Sequence, residues 1–283
     1  TEDDYADVRT GFDIVRRLGR FDVGQGVIVN RGTIEAIEGA EGTDKMLERV
    51  ALMRIHQGHA AAAGVLVKRP KPGQEMRVDM PAIGPQTAVL SGRAGLAGIA
   101  VLEGAAITAE RQKLISAADE SGLFVQGFAD DERSADLPPF DGEISFVQLG
   151  DRKLSQVELN DLRKGIGVLE ALAPYEIGSA VAVARRHVLA IEVGEGNEAF
   201  LHRVKTLRQW GKGLTRKAIG IGVFGHSKPF GPALINEAEK AGLAGVMIAS
   251  DGLKKGEWPV AIVNGNKLKM FIGALTVSQG TPT

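Results

Sequence analysis

The feature that most constrains this chain is an internal repeat, because a repeat predicts that one fold is built twice. Residues 21–25 match residues 175–179 at an offset of 154 positions (175 − 21). Residues 36–38 match residues 190–192 at the same offset. The second half of the chain is therefore expected to repeat the secondary structure of the first half.

The offset is smaller further along the chain, where residues 94–98 match residues 241–245 at 147 positions (241 − 94). The second copy is thus shorter by seven residues (154 − 147) between the two pairs of matches. The shortening falls on a charged loop at 68–84, whose counterpart at 226–232 keeps one lysine and no carboxylate. Any chemistry of that loop is expected in the first copy alone.

Composition excludes several classes of function. The formal net charge of -1 over 283 residues argues against a nucleic-acid partner held by a basic surface. The absence of cysteine excludes disulfides, thiolate metal sites and cysteine nucleophiles, and fits a reducing, cytoplasmic location. No apolar run is long enough for a spanning helix, and no signal peptide is visible. The chain begins with Thr1, and Asp3, Asp4 and Tyr5 resemble a linker, so we expect it to start part-way into a longer protein.

Strand and helix patterns alternate along the first copy. The predicted strands are residues 27–30, 33–38, 64–68, 98–101 and 123–128. One helix is predicted to start at Thr43, and two further helices are predicted at 85–93 and 108–121. This order predicts an α/β fold: two similar α/β domains from an internal repeat, each a mostly parallel sheet flanked by helices. We expect domains at 1–128 and 143–283, joined by a polar linker at 129–142 that contains Pro138 and Pro139.

The charged loop at 68–84 follows a predicted buried strand, and parallel sheets bind ligands at the carboxyl ends of their strands. Asp79 lies among apolar neighbours, so its carboxylate is either paired with Arg77 or Lys71 or serves as a magnesium ligand or general base. Lys68, Lys71 and Arg77 are either a solvated basic face or clamps for phosphate oxygens.

Thr43 and Asp44 open a predicted helix, where Thr43 is either a simple N-cap or part of a site for phosphate or a substrate hydroxyl. Gln74 and Glu75 belong to the same loop as Asp79. We assign Glu75 and Arg77 to catalysis with Asp79, and Gln74 and Asp44 to substrate binding. A literal G-x-G-x-x-G stands at 220–225, but its glycines fall inside a predicted strand, which is the wrong context for a dinucleotide site.

Residues 12–128 resemble the carboxy-terminal domain of the UDP-2,3-diacylglucosamine pyrophosphatases of the LpxI type. The resemblance is carried by five stretches: residues 21–27, 29–38, 41–44, 68–84 and 94–99. It implies hydrolysis of UDP-2,3-diacylglucosamine to UMP and lipid X in lipid A biosynthesis, with a divalent metal such as Mg²⁺. It also implies a nucleotide-sugar lipid as substrate, a homodimer, and a cytoplasmic protein in peripheral contact with the inner membrane of a Gram-negative bacterium.

The resemblance places the essential aspartate in the element Arg77-Val78-Asp79-Met80-Pro81, with Asp79 as the metal ligand. It also implies an amino-terminal Rossmann-like domain, which this sequence does not contain. A rival interpretation follows from that difference and from the degenerate second copy: a non-catalytic binding or scaffolding paralogue of the enzyme.

Overall fold

The computed structural model describes residues 1–58, 62–71, 80–129, 144–209, 218–226 and 229–275. The chain divides into two compact units, Thr1–Pro139 and Phe140–Thr283. We call the described residues of these units the first copy and the second copy. The predicted domain bounds stay predictions, because residues 130–143 lie outside the described residues.

Helices and strands alternate through the first copy. Its elements are α1 (Glu2–Gly19), β1 (Gly26–Asn30), β2 (Thr33–Ile37), α2 (Thr43–Gln57), β3 (Val65–Lys68), β4 (Ala82–Ile83), α3 (Pro85–Arg93), β5 (Gly98–Leu102), β6 (Ile107–Thr108), α4 (Arg111–Ser121) and β7 (Phe124–Phe128). The predicted strands and helices are present, and α3 has the predicted bounds. The helix expected from residue 108 begins at Arg111, because Ile107 and Thr108 pair with β4 instead.

After one additional strand, the second copy repeats the helices and main-sheet strands of the first in the same order, and no counterparts of β4 and β6 are present among its described residues. Its elements are β8 (Phe146–Gln148), α5 (Gln156–Leu172), a 3₁₀ turn (Ala173–Tyr175), β9 (Ala180–Ala184), β10 (His187–Glu192), α6 (Asn197–Gln209), β11 (Ile221–Phe224), α7 (Leu234–Lys240), β12 (Gly245–Ala249), α8 (Trp258–Lys267) and β13 (Phe271–Leu275). The G-x-G-x-x-G glycines lie in and beside β11, as expected, and not in a turn before a helix.

The two main sheets share one strand order. The first copy has β2-β1-β3-β5-β7, and the second has β10-β9-β11-β12-β13 with β8 added at the edge. In the first sheet β1 is antiparallel to both β2 and β3, while β3, β5 and β7 are mutually parallel. Four of its five described strands therefore point the same way, which confirms two α/β domains with mostly parallel sheets.

Helix α1 was not expected, because its acidic start resembled a linker. That interpretation is wrong: Glu2, Asp3 and Asp4 form the first turn of α1. Thr1 accepts the Asp4 backbone N–H, and Asp4 bonds back to Thr1, which is a capping box. Acidic residues favour this position because the N-terminus of a helix carries partial positive charge. In this chain, a cluster of acidic residues followed by apolar residues at helical spacing therefore marks the start of a helix.

Each copy fixes its first β-hairpin to its first helix through a buried aspartate. Asp7 on α1 accepts the backbone N–H groups of Arg31 and Gly32 at 2.8 and 2.7 Å. In the second copy Asp161 on α5 accepts those of Arg185 and Arg186 at 3.0 and 2.6 Å. We call this arrangement the hairpin anchor. It satisfies turn donors that the strand ladder cannot reach.

The same helices pack closely on the sheets at glycines. A Cβ added at Gly11 of α1 would lie 2.6 Å from Val67 Cγ2, and one at Gly165 of α5 would lie 2.7 Å from Val223 Cγ2. Any larger residue at either position would push the helix off its sheet. The opposite face of the first sheet is covered by α2, α3 and α4, whose buried residues include Met46, Leu47, Leu90 and Leu114.

No helix within the described ranges is both long enough and apolar enough to cross a lipid bilayer.

Candidate functional site

The candidate site lies at the carboxyl end of β3, where the sequence predicted it. Strand β3 is buried throughout, and its last residue, Lys68, keeps only 5% of its surface exposed. The neighbouring parallel strand β5 ends at the same edge of the sheet. Carboxyl ends of adjacent parallel strands are the usual place for ligands in α/β folds. A lysine in this position is a buried cation at a functional edge.

Two oxygens hold the Lys68 ammonium. Lys68 Nζ donates to Thr43 Oγ1 at 2.6 Å and to the Ala82 carbonyl at 3.3 Å. Thr43 is on α2 and Ala82 is on β4, so the lysine joins the start of a helix to the strand that ends the charged loop. The structure therefore brings together two of the predicted binding residues, Lys68 and Thr43.

The prediction that Thr43 is the N-cap of α2 is wrong. Gly42 occupies the N-cap with φ 80°, a left-handed conformation that favours glycine, and makes no side-chain cap hydrogen bond. Thr43 is the first helical residue, and its hydroxyl is used by Lys68 instead. Asp44 follows in the first turn, close enough to act electrostatically on Lys68. The helix start is thus not capped by its own side chains.

Opposing effects set the charge of Lys68. Burial lowers the pKa of the ammonium from its usual value, while the negative charges of Glu38 and Asp44 raise it. A lysine at the start of a helix adds full charge to the partial positive charge of the exposed N–H groups. The arrangement can therefore bind an anionic oxygen of a phosphate group.

Lys71 is placed differently from Lys68. Its Nζ lies 2.6 Å from Asp22 Oδ1, and its side chain is largely covered. This ion pair fixes the start of the charged loop to the segment between α1 and β1. Its predicted role as a phosphate clamp stays a prediction.

Four predicted residues of the charged loop, Gln74, Glu75, Arg77 and Asp79, lie outside the described residues. Their assignments stay predictions. Among the residues that the structure does describe, no group of three or more His, Asp or Glu side chains is arranged to hold a metal ion.

The sequence did not single out Glu38, which the structure places beside the site. Glu38 follows β2, and its Oε2 atom is buried with no hydrogen-bond partner among the described residues. A signal for it was present, since the match between residues 36–38 and 190–192 retains the acid in both copies.

Comparison with known proteins identifies the family. The model of the LpxI C-terminal domain matches residues 1–126 and again residues 147–272. The chain belongs to the LpxI C-terminal domain family. It is also similar to the UDP-2,3-diacylglucosamine pyrophosphatase LpxI of Caulobacter vibrioides, with 48% identity over 130 residues. That match covers 45% of this chain and 46% of the relative, so it spans about half the length of each.

The second LpxI C-terminal domain lacks the cation of the first. In the first sheet Lys68 pairs with Gly26, and at the same register position in the second sheet Phe224 pairs with Ala180. Phe224 is buried and packs against Phe230 and Phe200, with ring centroids 4.5 and 6.1 Å apart. An aromatic cluster therefore fills the place that the buried ammonium takes in the first domain.

In the second LpxI C-terminal domain, the residues that correspond to the surroundings of Lys68 bond directly to one another. Asn197, the first residue of α6, donates directly to the Pro229 carbonyl at 3.2 Å. The Glu192 carboxylate, the counterpart of Glu38, bonds to the Ser179 hydroxyl and accepts the Gly196 N–H at 2.8 Å. The second domain thus keeps the hydrogen bonds that connect its elements, and these bonds occupy both oxygens of the Glu192 carboxylate.

Proposed function

We propose that this chain is the carboxy-terminal part of a UDP-2,3-diacylglucosamine pyrophosphatase, and that its first copy carries the site. The reaction is hydrolysis of the diphosphate of UDP-2,3-diacylglucosamine to UMP and lipid X, a step of lipid A biosynthesis. The similarity to the Caulobacter relative supports the substrate class. The observation that carries the proposal is the buried Lys68 ammonium at the start of α2, held by Thr43 and Ala82.

In this proposal water attacks a phosphorus atom of the diphosphate, and the bond to the bridging oxygen breaks. Lys68 offsets negative charge on the phosphate oxygens, as do Lys71 and Arg77. The exposed N–H groups at the start of α2 act on the same charge. Asp79 orients the attacking water or holds the metal ion. Gln74 of the loop, with Thr43 and Asp44, contacts the substrate, and Glu75 and Arg77 take part in catalysis with Asp79.

Mg²⁺ is part of the proposal through Asp79 and the substrate phosphates. The described residues do not by themselves assemble a set of metal ligands. A bound magnesium ion would offset charge on the diphosphate oxygens. Contact with the inner membrane and a homodimer are further proposals that follow from a lipid-bearing substrate and from the family.

A specific observation favours a second candidate, a non-catalytic binding or scaffolding paralogue. The matched segment spans 46% of the relative's length, and the second copy has phenylalanine in place of the lysine. In that case the first copy would bind a nucleotide-sugar lipid without turning it over. The two candidates differ in one measurable property, release of UMP.

The test is UMP release from UDP-2,3-diacylglucosamine by the chain mixed with a separately produced amino-terminal domain of the Caulobacter relative. We expect Asp79→Ala to lower the rate by at least ~10²-fold without changing the melting temperature, because it removes a metal ligand or base. The matched control is Asp119→Ala, an exposed carboxylate on α4, which should leave the rate unchanged.

Near-normal turnover by folded Asp79→Ala would refute the assignment of the site. Saturable binding of substrate by the unmodified chain with no UMP released would support the binding paralogue instead.

A further inference from the structure

Within the described part of the chain, the Lys68 ammonium uses two of its three hydrogen-bond donors. An ammonium group has three N–H bonds, and two of them go to Thr43 and Ala82. No ion pair to Lys68 forms among the described residues, although the side chain is almost fully buried. A buried cation needs a compensating charge nearby, and the third N–H has no acceptor among the described residues.

Glu38 is placed to supply that charge. Its backbone N–H donates to the Gly26 carbonyl at 2.9 Å, and its carbonyl accepts the Gly24 N–H at 3.1 Å. Gly26 in turn pairs with Lys68 in the sheet, so Glu38 and Lys68 lie on either side of the same residue. A Cβ at Gly26 would be 2.6 Å from Glu38 Oε2, which means that the glycine leaves room for the carboxylate.

Two negative groups act on Lys68 within the part of the chain that the structure describes. They are Glu38, at the end of β2, and Asp44, in the first turn of α2. Glu38 has the larger influence of the two on the pKa of Lys68, and both oppose the effect of burial. Neither side chain forms a direct hydrogen bond to the ammonium, so their effect is electrostatic.

The second copy shows what the same carboxylate does when the lysine is absent. Phe224 replaces Lys68, and both oxygens of Glu192 are occupied, by the Ser179 hydroxyl and the Gly196 N–H. Glu192 is 1% exposed. In the first copy Gln25 stands in place of Ser179, and Glu38 Oε2 has no hydrogen-bond partner among the described residues. The first copy thus has both the lysine and a carboxylate oxygen without a described partner, and the second copy has neither.

We propose that Glu38 is a positioning residue whose buried Oε2 atom favours the charged form of the Lys68 ammonium between Thr43 and Ala82, so that its third N–H can bind a phosphate oxygen. This inference rests on the proposed function for the identity of the phosphate group. The arrangement of Glu38 and Lys68 does not depend on it. Removing the carboxylate lets burial dominate, so Lys68 loses its proton at a lower pH.

The experiment is a ¹³C NMR titration of the 283-residue chain labelled at lysine Cε, with the Lys68 signal assigned by its loss in Lys68→Met. In Glu38→Gln the Lys68 midpoint should fall by about one pH unit, because an opposite charge at close range shifts a pKa by at least that much. Asp44→Asn should lower the midpoint by less. Glu48→Gln is the matched control, since Glu48 is an exposed carboxylate on α2 paired with Lys45, and it should leave the midpoint unchanged.

An unchanged Lys68 midpoint in folded Glu38→Gln would overturn the inference. If Glu38→Gln fails to fold, Glu38→Asp takes its place, because it keeps the charge but withdraws it by one methylene. A lower midpoint in that variant supports the inference, and an unchanged midpoint overturns it.

The same measurements separate this inference from the proposed function. A shifted midpoint together with no release of UMP would refute the pyrophosphatase and leave Glu38 as the positioning residue. Release of UMP with no shift in Glu38→Gln would refute the role of Glu38 alone.

Discussion

The first and second copies share a framework and differ at the carboxyl end of one strand. At that end the first copy has a buried ammonium held by Thr43 and Ala82, and the second has Phe224 packed on Phe200 and Phe230. Both versions fill the same space between a helix start and the sheet. The comparison indicates that the fold needs a side chain in this space, and that only the Lys68 side chain of the first copy places a charge there.

The shared framework also includes polar contacts other than those of Lys68 and Phe224. Arg49 pairs with Glu41 at 2.5 Å in the first copy, and Arg203 pairs with Glu195 in the second. The hairpin anchor is likewise present twice. Contacts that hold the fold are therefore retained in both copies, including charged ones. Charge alone does not mark a residue as functional in this molecule.

The largest expected effect comes from forcing the site of the first copy onto the second. Phe224→Lys removes a buried aromatic ring. It also introduces an ammonium where the second copy has no counterpart of the Thr43 hydroxyl and where both oxygens of Glu192 are already hydrogen-bonded. We expect the free energy of unfolding of the second copy to fall by about 4 kcal/mol, the usual cost of losing a buried phenylalanine. Urea unfolding of the whole chain measures it.

Phe224→Leu serves as the control for Phe224→Lys, since it keeps the position apolar and should cost clearly less. A loss of under about 1 kcal/mol in Phe224→Lys would show that the second copy still accommodates a cation, and the contrast between the copies would fail.

A smaller effect tests the part that the copies share. Asp7→Asn and Asp161→Asn each remove a charged acceptor and leave one backbone N–H of the hairpin turn without its hydrogen bond. Each should lower the free energy of unfolding of its own copy by about 1–3 kcal/mol. Asp119→Asn on the exposed side of α4 is the control and should be neutral. A large loss in one copy and none in the other would mean that the two anchors are not equivalent.

The smallest effect is expected at the capping boxes. Burial acts to raise the pKa of Glu158, but hydrogen bonds from Arg152 and Ser155 outweigh it and lower the pKa. A lowered pKa in the folded state contributes stability above the unfolded pKa, near 4, that is lost as the pH falls through the folded value. Glu158→Gln should therefore cost about 1 kcal/mol at pH 7 and clearly less at acidic pH, such as pH 3.

Urea unfolding at the two pH values checks the Glu158 prediction. Glu237→Gln, an exposed carboxylate paired with Lys240, is the control and should change little at either pH. An equal cost of Glu158→Gln at both pH values would show that shape, and not charge, stabilises the start of α5.

Much of the fold could be predicted from local patterns. The turn at Arg31 and Gly32 between two alternating runs gave β1 and β2, and a proline at the first helical position gave α3. Helix α1 was missed because acidic residues at its start also suit a linker. The apolar residues Val8, Phe12 and Val15 recur at helical spacing behind those acids and are buried in the structure.

The candidate site was predictable only in part, for a physical reason. Lys68 and Thr43 were found because each ends or begins an element that the sequence reveals. Glu38 was not, because its closeness to Lys68 depends on how β1, β2 and β3 pair, and the register of strands is a long-range property. The assignment of Asp79 rests on resemblance and stays a prediction.

The duplicated hairpin anchor has a consequence for how the chain acquires its fold. Asp7 and Asp161 offer the same carboxylate to the same kind of turn, and the helices bearing them meet a valine at the same glycine contact. Neither contact distinguishes its own copy from the other.

During synthesis the correct turn leaves the ribosome 24 residues after Asp7, whereas the turn at Arg185 follows 178 residues after it (185 − 7). At about 5–20 residues per second the correct partner arrives within a few seconds and the wrong one about ten seconds or more after Asp7. A chain refolded from denaturant has both turns available at once, so it lacks the advantage that the order of translation gives to the native pairing.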